Sequence, residues 1–371
     1  MELEGKSYPI FFEKNLFQQK NFYEECLTYA SSFVLITHTS LVQKIAMPLL
    51  KHWKKQKISS LLLSFPPGEK YKTRKTKEYL ENQMLLASVS RESAILSLGG
   101  GVVSDLAGFI AATYKRSMPL IHLPTTLLGM IDASIGGKVG VNTSFGKNTI
   151  GAFYQPKAVF IDPSFLRSLP CEEFLSGLVE MVKCTLIADP KLFSILEENK
   201  EEILAQGNLL EKMIFACIEV KKKIVEEDET DRSVRQLLGL GHTLGHAIEL
   251  SLGYRISHGN AIYLGIIGEA YLSMRKKILC QESFERICAL FQHYGMVFPS
   301  VSLSKKKILA ALFLNKKKDG DTLFFPLLKD IGYPFVNSSG FVHKVEKKEI
   351  EEMIDFIMCN VWENSLCSLP S

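Results

Sequence analysis

The sequence has no run approaching the roughly 18 uninterrupted apolar residues that a membrane-spanning helix needs, and its acidic start, Met1-Glu2-Leu3-Glu4-Gly5, lacks the apolar core of an export signal. A cytoplasmic chain with no membrane partner is the expectation. Cys-x-x-Cys pairs are also absent: eight cysteines lie scattered from Cys26 to Cys367, which argues against a zinc ribbon and against a secreted disulfide framework, so they read as reduced core thiols. A strong excess of one sign of charge is also lacking. The net charge is +4 over 371 residues, and the lysines have no repeated aromatic partners, so nucleic acid is not expected and an anionic small molecule suits the balance better. Low-complexity linkers and internal repeats are absent too.

What is present is the composition of a soluble globular protein, 46% apolar and 23% charged, in a chain longer than one core usually organises. Two domains are expected, residues 1–170 and 171–371. In the first, short β-rich runs alternate with helix-length segments: Phe33 to Thr37, Ile58 to Phe65, Ala94 to Leu98, Leu120 to Leu123 and Val159 to Ile161 read as strands. That order predicts a parallel α/β sheet covered on both faces, with ligands where strands give way to loops. After Leu169-Pro170 helical periods follow one another from Cys171 to Tyr294, with a β-like run at Thr322 to Leu328 and an amphipathic stretch from Glu346 to Val361.

Three glycines, Gly99-Gly100-Gly101, stand between a strand and a helix, where backbone amides can approach a phosphate. The same spacing fits a tight turn, and Asp105 beyond it suits either a ribose hydroxyl or a helix cap. Pro124-Thr125-Thr126 offers two hydroxyls that can cap a helix or meet a cofactor. From Asp132 to Asn148, seventeen residues hold an acid, Lys138 and Lys147, an amide at Asn142 and four glycines, a mixture that favours a phosphorylated ligand over a mobile surface loop. His242 and His246 stand one helical turn apart in Gly241-His242-Thr243-Leu244-Gly245-His246-Ala247-Ile248-Glu249, and spacing alone makes them a metal pair. His258 follows, and Glu180 offers a carboxylate from another helix, enough for a catalytic zinc site without cysteine. Glu180 and Lys183, three apart, also fit a plain surface ion pair. The lysine runs at 221–223, 305–307 and 316–318 read by themselves as solvated faces.

Taken in order, these segments resemble the 3-dehydroquinate synthase family from Pro67-Gly68-Glu69-Lys70-Tyr71-Lys72 to Asn315-Lys316-Lys317. The motifs that carry the likeness are Gly-Gly-Gly-Val-Val-x-Asp-Leu-Ala-Gly-Phe at 99–109, Thr113-Tyr114-Lys115-Arg116, Gly146-Lys147-Asn148 with Ile150-Gly151-Ala152-Phe153, and the histidine motif at 241–249. The resemblance implies an N-terminal Rossmann-like NAD domain and a mostly helical metal- and substrate-binding domain, with the active site in the cleft. It implies that Glu69, Lys72, Gly100, Asp105, Thr125 and Thr126 hold NAD, with Lys138 and Lys147 close to it, and that Glu180, His242 and His258 bind zinc or cobalt. His246 then becomes a phosphate-side residue and not a ligand.

The implied substrate is a phosphorylated sugar acid, 3-deoxy-D-arabino-heptulosonate 7-phosphate. Lys138, Lys147, Asn148, His246 and Lys316 or Lys317 match its phosphate side, and Lys221 and Arg235 its carboxylate. Asp132 and Lys183 match the reacting hydroxyls, with Asp231 nearby, and Arg116 is expected from the partner of a homodimer. The chain differs from the family pattern at Ser104, His122, Val139, Gly239 and Asn260, where glycine, glutamine, threonine, asparagine and glutamate are usual. These differences keep three alternatives in view: another sugar phosphate cyclase, a metal-dependent alcohol or glycerol dehydrogenase, and a non-catalytic subunit.

Overall fold

A computed structural model describes residues 1–296, 302–314, 322–338 and 340–362. The chain divides into two compact units, Met1–Pro170 and Cys171–Ser371.

The first unit is built on a six-stranded parallel sheet: β1 (Ile10–Phe12), β2 (Ser32–His38), β3 (Ser59–Phe65), β4 (Ala94–Gly99), β5 (Leu120–Pro124) and β8 (Ala158–Ile161), in the order β1-β8-β5-β4-β2-β3. Its inner strands β2, β4, β5 and β8 are buried along nearly their whole length because both faces are covered. Along β2, Phe33 and Leu35 pack beneath helices α1 (Lys20–Tyr29) and α3 (Met47–Lys55), which follows the short α2 (Thr39–Leu41). Val34 and Ile36 point the other way, toward α4 (Arg74–Leu86) and α5 (Gly101–Thr113). The chain runs outward from β2 to β3 and then returns to the other side of β2 as β4, so the order reverses there. Loops at the carboxyl ends of β2 and β4 therefore flank the crevice where open α/β sheets bind ligands, with the loop after the edge strand β3 next to them.

Between β5 and β8 the chain forms an antiparallel hairpin, β6 (Lys138–Thr143) and β7 (Gly146–Phe153). The composition of this stretch reads as a glycine-rich ligand loop, but cross-strand pairing makes it a ladder. The glycines bring the two backbones together: a Cβ on Gly151 would lie 2.0 Å from the Val139 carbonyl oxygen, and one on Gly140 would lie 2.7 Å from that of Ile150. On α5, Gly108 leaves the space that Val139 fills, since a Cβ there would stand 2.3 Å from Val139 Cγ1.

The second unit is mostly helical: α6 (Cys171–Ala188), α7 (Pro190–Glu198), α8 (Lys200–Leu204), α9 (Asn208–Glu227), α10 (His242–Ser251), α11 (His258–Arg275), α12 (Gln281–His293), α13 (Lys305–Phe313) and α14 (Lys347–Trp362). Short strands β9 (Thr322–Phe325) and β12 (His343–Glu346) pair with each other, as do β10 (Leu328–Asp330) and β11 (Tyr333–Pro334). No helix among the described residues is long and apolar enough to cross a membrane.

The glycine packing gives a direct test. Gly151→Ala should cost about 1–3 kcal/mol in urea unfolding because backbone must move to admit the methyl group. Gly239→Ala, where a Cβ meets nothing within 4 Å, should stay within about 0.5 kcal/mol of the parent.

Candidate functional site

In the helical unit the site begins with a contact that carries no ligand. Gly259, second residue of α11, lies against Ser176 of α6: its N–H donates to Ser176 Oγ at 2.9 Å, and a Cβ on it would stand 2.3 Å from Ser176 Cα. One turn beyond Ser176 is Glu180, and one residue before Gly259 is His258. The close approach of α6 and α11 thus brings Glu180 Oε1 to 3.5 Å from His258 Nε2. His242, first residue of α10, completes the group with Nε2 also 3.5 Å from Glu180 Oε1.

Donor atoms about 2.0–2.2 Å from a tetrahedral ion stand about 3.3–3.6 Å apart, so these separations suit a divalent metal. The orientation of both rings suits it as well. His242 Nδ1 faces the Leu240 carbonyl at 3.1 Å, and His258 Nδ1 faces Glu249 Oε1 at 3.4 Å, which leaves each Nε2 turned toward Glu180. Backbone carbonyls and buried carboxylates are the usual partners of the second nitrogen of a metal-bound histidine. Glu249 is itself buried. In sequence Glu249 is marked only by its place seven residues after His242, two turns along one helix face.

Glu180 and Lys183 do not form a surface ion pair. They are 2% and 3% exposed, with Lys183 Nζ 2.5 Å from Glu180 Oε2 and donating to the Leu238 carbonyl at 2.9 Å. Burial opposes ionisation of Glu180, but Lys183, then His242 and His258, outweigh it and hold the carboxyl well below the usual carboxylate range. A carboxylate binds a metal ion in its deprotonated form, which these neighbours favour.

The His242–His246 pair suggested by spacing gives way to a different grouping. Among the described residues, Glu180, His242 and His258 offer ligand atoms within 4.8 Å of one another, and His246 falls into a second group with Glu249 and His258. His246 faces the His242 ring at a centroid distance of 5.2 Å and the His258 ring at 5.9 Å.

Lys221 on α9 and Arg235 are both buried, so the run at 221–223 is not a uniformly solvated face. Arg235 sits in a tight turn organised by Asp228, whose carboxylate accepts the backbone N–H groups of Arg232, Ser233 and Arg235 at 2.6–3.2 Å. Burial works against the Asp228 charge, but these amides hold its pKa below the ordinary value. Arg235 Nη1 donates to the Glu229 carbonyl at 2.5 Å, and Asp231 takes a left-handed φ of 62° within the same turn. Lys316 and Lys317 lie outside the described residues.

In the first unit the structure draws another set together. Gly100 caps α5, and a Cβ there would stand 2.9 Å from Thr126 Cγ2, so the backbone is open to close approach only without a side chain. Thr126 Oγ1 accepts the Gly129 N–H at 3.0 Å and opens the following helical turn, which carries Asp132. Thr125 is buried beside Gly99, to whose carbonyl its N–H donates at 3.0 Å. Asp105 does not cap the helix, since Gly100 holds that position; it lies farther along α5 and pairs with the buried Lys72. Burial pushes the Asp105 carboxyl up and Lys72 pulls it back. Glu69 accepts from Asn142 Nδ2 at 2.7 Å and stands 3.8 Å from Lys72 and 4.0 Å from Lys147, so one carboxylate ties the hairpin to the loop after β3. Lys138 and Asn148 are exposed on the hairpin. Arg116 is exposed too, in the middle of three successive residues with positive φ, Lys115, Arg116 and Ser117.

This architecture, a parallel α/β unit followed by a mostly helical unit, is that of the sugar phosphate cyclases. It superposes on a 2-deoxy-scyllo-inosose synthase, solved with carbaglucose-6-phosphate, NAD+ and Co2+, with a TM-score of 0.82 at 26% identity, covering 93% of this chain and 95% of that one. A 2-epi-5-epi-valiolone synthase from Streptomyces hygroscopicus subsp. jinggangensis 5008, solved with NAD+ and Zn2+, shares the fold with a TM-score of 0.85 at 24% identity, covering 96% and 98%. Residues 62–176 match the family description 3-dehydroquinate synthase N-terminal, and residues 177–318 match 3-dehydroquinate synthase C-terminal. A 3-dehydroquinate synthase of Coxiella burnetii (strain RSA 331 / Henzerling II) is 37% identical over 360 residues, 96% of this chain and 98% of that protein; one from Dehalococcoides mccartyi (strain CBDB1) is 36% identical over 333 residues, 90% and 93%. The chain belongs to the 3-dehydroquinate synthase family.

Two substitutions separate donors from scaffold. His242→Ala should abolish cobalt or zinc uptake, read by metal analysis of the purified protein, with the far-ultraviolet circular dichroism unchanged. Gly259→Ala alters no donor, yet should weaken metal binding by about 10-fold or more, because it drives His258 away from Glu180.

Proposed function

We propose that this chain is a 3-dehydroquinate synthase that converts 3-deoxy-D-arabino-heptulosonate 7-phosphate to 3-dehydroquinate and phosphate, with NAD and a divalent zinc or cobalt ion bound. The observation that carries this reading is the buried Glu180 with two imidazole nitrogens 3.5 Å from the same oxygen, in a chain 37% identical to a relative of that activity along nearly its whole length. A bound ion supplies Lewis acidity at the reacting alcohol, and NAD supplies a hydride acceptor restored within each turnover, so no net redox change is expected.

The protein's own residues then have distinct tasks. Glu180, His242 and His258 hold the ion, and Glu249 and the Leu240 carbonyl fix the two rings. Lys183 balances Glu180 and, being buried with its amine held by Leu238, presents a fixed positive charge at the reacting hydroxyls. Lys221 and Arg235 take the substrate carboxylate, for which Asp228 sets the Arg235 turn in advance. His246 serves the phosphate side, with Lys317. In the first unit Gly100, Thr125 and Thr126 receive the dinucleotide at the carboxyl end of the sheet, and Glu69, Lys72 and Asp105 bind its polar atoms. Lys138, Lys147 and Asn148 answer anionic oxygens, and Asp132 works at the hydroxyls. Charge neutralisation and positioning are thus the main contributions of the protein. The enzyme is assigned to the cytoplasm as a homodimer, with Arg116 of one protomer serving its partner's substrate.

Incubating the purified protein with the heptulosonate phosphate, NAD and cobalt should release phosphate and dehydroquinate with no build-up of NADH absorbance. Accumulating NADH identifies a dehydrogenase, and no phosphate release rejects this substrate. Gly239→Asn should fold, because the position has open space and an ordinary φ. It should also raise kcat/KM by about 2- to 10-fold, the worth of one regained hydrogen bond of about 0.5–1.5 kcal/mol.

A further inference from the structure

Glu269 lies on α11, about three helical turns beyond His258, and is completely buried. Its Oε2 accepts the Gly241 N–H at 2.8 Å, and its Oε1 has no hydrogen-bond partner among the described residues. Burial pushes its carboxyl well above the usual carboxylate range, against the lowering effect of the Gly241 amide. Burying such a group is costly, and an aliphatic side chain would fill an internal helix position more cheaply.

What the carboxyl holds is the peptide on which a metal ligand turns. Gly241 caps α10 with a left-handed φ of 78° and separates Leu240, whose carbonyl faces His242 Nδ1 at 3.1 Å, from His242 itself. The other side of the same residue is held by packing: a Cβ on Gly265 would stand 1.9 Å from the Gly241 carbonyl oxygen, and one on Gly241 would stand 2.6 Å from Ile266 Cγ1. Packing fixes the carbonyl of Gly241, and a hydrogen bond fixes its amide. With both held, the Leu240 carbonyl and the His242 ring keep one relative orientation.

We propose that Glu269 is a positioning residue of the metal centre, accepting the Gly241 N–H and so fixing the turn that aims His242 Nε2 at Glu180 and His258. The inference rests on the metal assignment of those three residues. It makes a distinction between an acceptor at the right reach and mere bulk or charge. Glutamine keeps the acceptor without charge, aspartate keeps the carboxyl but falls one methylene short, and leucine keeps only volume.

The test uses the whole protein, stripped of metal and titrated with Co2+, for the parent and for Glu269→Gln, Glu269→Asp and Glu269→Leu. The readouts are the dissociation constant and the visible cobalt spectrum, with NAD affinity and circular dichroism as controls. Glu269→Gln should keep the parent's affinity and spectrum. Glu269→Asp and Glu269→Leu should lose about 10- to 100-fold in affinity, with an altered spectrum and unchanged NAD binding. If leucine prevents folding, the aspartate variant decides. Parent-like cobalt binding by aspartate or leucine, a glutamine variant as weak as leucine, or a parallel loss of NAD affinity overturns the proposal. Failure of the parent itself to bind cobalt would instead overturn the metal assignment beneath it.

Discussion

A carboxylate sealed from water must be answered by positive charge or by hydrogen-bond donors, and Glu180 sets that demand in the helical unit. At 2% exposure it is too deep for solvent to share the load, so the cost of its burial falls on Lys183, His242 and His258. Lys183 meets part of it from the same helix, one turn away, and is itself held by the Leu238 carbonyl. The two imidazoles meet the rest only weakly, at 3.5 Å each, and neither makes a close hydrogen bond to Oε1 at that distance. The arrangement is geometrically suitable as a set of metal donors.

The donors converge because three helices approach more closely than ordinary side chains allow. Ser176 and Gly259 set α6 against α11, while Gly241, Gly245 and Gly265 set α10 against α11; at each of these glycines a Cβ would fall under 3.0 Å from a neighbouring atom. The histidines occupy the first positions of α10 and α11, so small shifts of either helix axis move a ligand directly. Precision at such a centre comes from rigid elements and from partners that hold the ligand rings. Glycine contacts supply the first here; Glu249 and the Leu240 carbonyl face the rings, and Glu269 holds the Gly241 amide between Leu240 and His242.

The central strands and the helical second half were legible because they obey simple periods: Phe33-Val34-Leu35-Ile36 is apolar throughout since both faces of β2 are buried, and α6 to α12 repeat at helical spacing. The edge strand Ile10–Phe12 is too short to declare itself, and the hairpin at 138–153 is hidden by the glycines that let its strands touch. At the centre, spacing favoured His242 with His246, since one turn of helix is visible in sequence. The contact between α6 and α11 that brings Glu180 to His258 is not, because it links residues 78 apart through a serine and a glycine with no chemistry of their own. Likewise Asp105 fits a ribose contact or a cap in sequence, and the start of α5 at Gly101 removes the cap by placing it beyond the first turn, paired with Lys72.

The positions at which the chain differs from its family pattern are, with one exception, absorbed by their surroundings. Ser104 bonds its hydroxyl back to the Gly101 carbonyl at 3.1 Å, and Val139 fills the space that Gly108 leaves on α5. His122 is buried with its Nδ1 2.6 Å from Ser97 Oγ, and burial pushes its pKa down to about 3, so it enters the sheet as a neutral polar group with a partner. Asn260 lies in the first turn of α11, where its N–H meets the Ser257 hydroxyl at 3.4 Å, a backbone contact that does not depend on the side chain. Gly239 alone is surrounded by nothing within 4 Å of a built Cβ. It follows Leu238, whose carbonyl holds Lys183, and lies three residues before His242. The neighbours have not closed over the missing side chain, as they would if the substitution had been compensated by packing. A side chain at this position meets open space and displaces no neighbour.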